Sequence, residues 1–143
     1  MVLVDSSIWI EGMRREGALE IKIALEALLE AYEATLCGPV KMEVLGGARR
    51  EELAGIQYFF SLMPYYPFNE KIWEEAASLG AKMRGKGWVI PWNDLLVASV
   101  ALQKGARVYA RDKHFEQMAE SVGLRLYRPG YGGSYQPEER DDS

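Results

Sequence analysis

Four acidic side chains stand where this chain could bring carboxylates together. They are Asp5 at the end of VLVD, Glu43 within PVKMEVLGG, Asp94 behind PWN, and Asp112 after RVYAR. Crowded carboxylates repel one another and take up protons unless a cation stands among them. A donor set made only of oxygen selects a hard ion, Mg²⁺ or Mn²⁺, over Zn²⁺. Such an ion activates water for in-line attack on phosphorus and offsets charge on the leaving oxygen, so no histidine is required. Each acid also has a simpler reading. Asp5 and Asp94 could cap helices, Asp112 could serve a turn, and Glu43 could lie on a solvated helix face. Four acids aimed at one rim favour the shared metal site over four unrelated roles.

The rim follows from the elements that must carry these residues. Short β-branched runs alternate with stretches of helical period, the pattern of an α/β fold with a parallel sheet. VLVD reads as a first strand, and Ser6 or Ser7 can cap the helix SIWIEGMRR, which Gly17 ends. Over 18–33 the apolar residues Ile21, Leu25, Leu28 and Tyr32 recur at helical spacing. TLC is a short second strand, and Gly38-Pro39 opens the helix that carries Glu43. A helix over about 50–62, a strand-like PYYPF and a helix from about Ile72 to Arg84 follow. DLLVASVAL is apolar nearly all round, which predicts a buried helix stopped by Gly105. The strand RVYAR, a helix over 113–121 and a last strand LRLYR complete a central sheet of four to five short strands flanked by helices. Parallel strands point their carboxyl ends to one edge, where ligands bind, and Asp5 and Asp112 both belong at that edge.

The whole chain sets the bounds. With 143 residues there is room for one domain, expected over 1–128, and the aperiodic GYGGSYQPEERDDS predicts a flexible tail over 129–143. The apolar runs fall short of a membrane span, and Met1 leads directly into VLVD without a secretory segment, so residence in the cytoplasm is the expectation. One cysteine, Cys37, and one histidine, His114, exclude a Cys/His zinc cluster and a histidine-pair ribonuclease mechanism. No G-x-S-x-G elbow is present, and the glycines from Gly80 to Gly87 lack the closing Ser or Thr of a phosphate-binding loop. The net charge of −4 is unusual for a nucleic-acid partner. The last seven residues hold four acids and one arginine, which leaves the body at −1, so one bound divalent ion makes it +1. Basic residues gather at Arg14 and Arg15, Lys41, Arg49 and Arg50, Lys82 to Lys86, and Arg107 to Lys113. Arg111 and Lys113, which flank Asp112, are the better candidates for phosphate contact.

The segments VLVDSSIWIE, PVKMEVLGGAR and PWNDLLVASVALQKGARVYARDKHFEQMA, in that order, resemble the motifs of the PIN domains. Within that family they are similar to the VapC toxins of bacterial and archaeal toxin–antitoxin pairs, over nearly all of residues 1–127. The resemblance implies a PIN-like fold and a metal-dependent endoribonuclease. Asp5, Glu43, Asp94 and Asp112 would form its acidic site, with Ser6 in support. It further implies a VapB-type antitoxin, a toxin homodimer, and an RNA substrate such as a structured loop of tRNA or ribosomal RNA. The chain departs from many relatives at His114, where they carry a further acid. Without that auxiliary ligand, one bound ion is as good an expectation as two. The alternative from another class is a PIN-like module that binds RNA or protein without cutting.

Overall fold

A computed structural model describes residues 1–138, with 139–143 of the expected tail outside the described residues. The chain runs β1 (Val2–Val4), α1 (Ser6–Met13), α2 (Leu19–Glu30), β2 (Ala34–Cys37), α3 (Gly38–Gly46), α4 (Arg50–Ser61), β3 (Tyr65–Tyr66), α5 (Glu70–Gly85), α6 (Trp92–Lys104), β4 (Arg107–Tyr109) and α7 (Lys113–Val122). A single 3₁₀ turn, Tyr131–Gly133, follows. The sheet order is β3-β2-β1-β4 and every pairing is parallel. This is the α/β architecture expected, with helices covering a central parallel sheet.

β1 lies between its two neighbours, with Val2 opposite both Ala34 and Arg107 and Val4 opposite Tyr109. All three of its side chains are fully buried, as parallel strands covered on both faces require. Burying each stabilises the fold by about 1.5–3 kcal/mol against leaving it in water. Trp9 closes one side of the core, edge-on to Phe60 at 5.2 Å, and its indole N–H donates to the Val4 carbonyl at 3.1 Å. Cys37 is buried in β2, and burial pushes its thiol up to about 12, an unreactive structural group.

α6 is the central helix: Asp94 and every residue from Leu95 to Ala101 are buried. It packs closely on α5, where a Cβ added at Gly80 would stand 2.9 Å from a Leu95 methyl. Gly80 therefore serves the approach of two helices, and no phosphate-binding loop exists around it. Asn69 begins α5 with an unforeseen cap, its side-chain oxygen accepting from the Ile72 amide at 3.0 Å.

Three elements differ from expectation. The run 18–33 stops as a helix at Glu30, and Tyr32 is 91% exposed at φ 56° instead of lying on the apolar face. The chain must reverse there to enter β2, and the amide of Glu33 donates back to the Leu28 carbonyl to close the helix end. The expected strand LRLYR shrinks to one parallel bridge, Val108 with Leu126, held by Val108 N donating to Arg125 O and Tyr127 N to Val108 O. Pro129, which has no N–H, and the turn beyond it lead the chain away before more pairs form. Residues 130–138, read from sequence as part of a loose tail, lie against the domain. Gly133 is buried with its α-carbon so close to α2 that a Cβ would stand 3.0 Å from the Ala24 amide nitrogen. Tyr135 stacks on Tyr127 at 6.4 Å, and the Gln136 amide donates to the Tyr127 hydroxyl.

Candidate acidic site

The carboxyl edge of the sheet gathers the four acids from four elements. Asp5 follows β1 as the N-cap of α1, and its carboxylate accepts from the Ser7 amide at 3.2 Å and the Ser7 hydroxyl at 2.7 Å. Ser6 and Ser7 are thus not the cap themselves. The same Ser7 oxygen accepts from the Arg111 amide at 3.3 Å, which ties the end of β1 to the loop after β4. Asp112 is the N-cap residue of α7 but its side chain makes no capping bond and is exposed.

Glu43 lies in the second turn of α3. One of its oxygens accepts from the Ser6 hydroxyl at 3.0 Å, and the other from the side-chain amide of Asn93. Asp94 is not a helix cap: Pro91 holds that position, and Asp94 is the third residue of α6. It is 7% exposed, with His114 Nδ1 3.1 Å from its Oδ2.

Electrostatics shows that the acids sense one another. Burial pushes the Asp94 carboxyl up to about 7, and the charges of Asp5, Asp112 and Glu43 push the same way. Burial also raises Asp5; its bonds to Ser7 work against that rise, while Asp112 and Glu43 add to it. Among the described residues no three carboxylate, histidine or cysteine groups converge on one coordination point; Glu43, Asp5 and Asp94 each meet a separate partner, Ser6, Ser7 and His114. The donor chemistry nevertheless fits a hard divalent cation. All four groups are carboxylates, two are nearly excluded from water, and their mutual repulsion is what a cation would relieve.

Three contacting residues were not legible as such in the sequence. Asn93 stands directly before Asp94, but a lone asparagine carries no motif. Ser7 was read only as a possible cap. His114 was noted only as the place, two residues after Asp112, where many relatives carry an acid. Arg111 is half exposed and its guanidinium pairs with Glu11 at 3.1 Å, and Lys113 is exposed.

The family model for the PIN domain matches residues 2–121. The chain is 30% identical over 131 residues to ribonuclease VapC11 of Mycobacterium tuberculosis, covering 87% of this chain and 96% of that one. In fold it is similar to VapBC2 from Rickettsia felis, solved bound to a DNA fragment from their promoter, with TM-score 0.71, 20% identity, and coverage of 89% of this chain and 98% of that one. It is also similar to M. tuberculosis VapC20, described as a sarcin-ricin loop cleaving toxin, with TM-score 0.66, 18% identity, and coverage of 90% and 100%. The chain belongs to the PIN-domain family and, within it, to the VapC ribonucleases of VapBC toxin–antitoxin systems.

Proposed function

We propose that this chain is a Mg²⁺- or Mn²⁺-dependent endoribonuclease, the toxin of a toxin–antitoxin pair, whose ion is held by Asp5, Glu43, Asp94 and Asp112. The observation that carries the proposal is the gathering of four carboxylates at one end of the sheet, with Asp5 and Asp94 buried and the Asp94 carboxyl raised by that burial and by the charges of the other three. A buried carboxylate pressed by three like charges, with His114 as its one basic neighbour among the described residues, at 3.1 Å, is suited to a cation and costly without one. When bound, the ion supplies Lewis acidity toward the phosphodiester and offsets charge on its oxygens. The chain's own residues position the acids. Ser6 and Asn93 hold the two oxygens of Glu43, Ser7 orients Asp5, and His114 faces Asp94. Lys113 and Arg111, at the rim beside Asp112, are placed to meet phosphate; Arg111 does so by leaving Glu11.

VapC20 is a sarcin-ricin loop cleaving toxin, and we assign this chain a structured RNA loop as its class of substrate. We assign it a VapB-type antitoxin and a homodimeric state as well. A groove of about 640 Å³ between α1, α3 and α4, lined by Ile10, Met13, Val44 and Ile56 with Arg14 and Glu52, suits an amphipathic antitoxin segment.

The test is incubation of the purified chain with total RNA in Mn²⁺ and in EDTA, with the ends of the products identified. Cleavage confined to Mn²⁺, leaving 5′-phosphate and 3′-hydroxyl ends, is expected. A 2′,3′-cyclic phosphate would remove the mechanism, and intact RNA in both conditions would favour the non-cutting, binding-only reading.

A further inference from the structure

Arg107 is the first residue of β4, at the edge of the sheet opposite the acids, and is 8% exposed although arginine seldom lies inside. Its guanidinium rests over the Tyr127 ring at 5.0 Å, and Nη1 donates to the Gln136 carbonyl at 2.9 Å. Nε and Nη2 are buried and have no hydrogen-bond partner among the described residues. These two nitrogens form one edge of the guanidinium, the edge that grips a carboxylate or phosphate with two parallel bonds. A buried charged group with donors unmade costs stability unless something completes it.

What covers that edge is an anion. The Glu138 carboxylate stands 3.6 Å from Arg107 Nε and 3.3 Å from Arg125 Nη1, and it is 44% exposed. At 3.6 Å it attracts Arg107 electrostatically but makes no hydrogen bond. The surrounding cleft, about 620 Å³, is walled by Arg107, Arg125 and Arg128 with Pro129, Gly130 and Pro137. Arg125 and Arg128 are half or more exposed; Arg125 also donates to the Gly105 carbonyl, and Arg128 meets a ligand from solution by leaving Glu116, whose two oxygens its Nη2 holds at 3.0 Å.

We propose that this cleft is a phosphate-binding site for a backbone group of RNA, occupied in the free protein by Glu138 acting as an internal competitor. A phosphate entering as Glu138 swings out would fill the empty Arg107 edge and lie between Arg125 and Arg128, anchoring the RNA away from the acidic rim. The phosphate chemistry stands on the arginines alone; only the choice of RNA as its bearer rests on the ribonuclease reading.

The experiment is fluorescence anisotropy with a labelled 2′-O-methyl oligoribonucleotide, which resists cleavage, in EDTA and over a range of salt. Glu138→Ala should bind about two- to fivefold tighter, as loss of an exposed ion pair of ordinary strength implies. Arg125→Gln with Arg128→Gln should weaken binding at least roughly tenfold at low salt and shrink the salt slope by about 0.7 to 1.4. Arg107→Lys, which keeps the charge but lacks the two-nitrogen edge, should weaken binding several-fold; the Arg125/Arg128 variant serves if it does not fold. Inorganic phosphate should displace the oligonucleotide from Glu138→Ala. Affinities unchanged in the Glu138 and Arg125/Arg128 variants would make the cleft a tail clasp and overturn the proposal. Capture of inorganic phosphate with no change in oligonucleotide affinity would overturn its assignment to RNA. Because the probe is uncleavable, binding that persists in a chain without nuclease activity would leave this site standing and remove the proposed function instead.

Discussion

At the scale of single residues, the proposed site is a set of charges held at a cost. The folded state keeps Asp94 protonated up to about pH 7, against an ordinary aspartate value of 3.8, so between these values it binds protons that the unfolded chain has released. The stability this contributes is complete below about pH 4 and is lost as pH rises through 7. Melts of the protein in EDTA should therefore fall over that window, and the raised carboxyl of Asp5 acts in the same direction. Asp94→Asn should flatten the profile and melt no lower than wild type at pH 7 in EDTA, while losing the gain that Mn²⁺ gives wild type. An equal loss of stability with and without Mn²⁺, with cleavage retained, would take Asp94 out of the site. Ser6→Ala leaves Glu43 without one of its two donors, and activity should drop roughly 10- to 100-fold with the melting point little changed. The placement of Asp5 and Asp112 was legible because strand ends can be read from local pattern and parallel strands share a carboxyl edge. The contacts of Asn93 and His114 were not, because they depend on how α6 lies against α3 and against α7, which no local spacing encodes.

At the scale of elements, apolar periodicity located the helices because burial of one face is what stabilises them, and α4, α6 and α7 lie within about two residues of expectation. It failed at Tyr32, an apolar ring in register with Leu25 and Leu28 that the chain nevertheless needs in a left-handed reversal. Glycine suits that backbone without a Cβ clash, and the exposed ring loses little packing. Tyr32→Gly should stabilise the protein by about 1 kcal/mol, read from urea unfolding. A destabilised variant would mean that the ring makes contacts in solution that its exposure denies. LRLYR failed for a different reason. Its alternation suits a strand, but pairing is decided by the chain beyond it, which Pro129 and the 3₁₀ turn draw toward α2.

At the scale of the whole molecule, residues 130–138 make packing contacts with the domain. Its low periodicity hid this, because Gly133 and Tyr135 fasten it through a close backbone approach and ring stacking, neither of which leaves a repeating pattern. Removing residues 129–143 should lower the melting point measurably, since it uncovers Tyr127 and α2; an unchanged melt would show that these contacts add nothing. The order of the sheet has a consequence for the birth of the protein. β1 emerges first, yet one of its neighbours is β4, more than a hundred residues later, and the Asp5 amide bonds to Tyr109 beyond that gap. A chain still being translated therefore cannot complete its acidic rim until β4 and Asp112 have been synthesised. In a nascent polypeptide the strand that leads into Asp5 would wait, unflanked on one side, and the rim would be the last part of the sheet to be assembled.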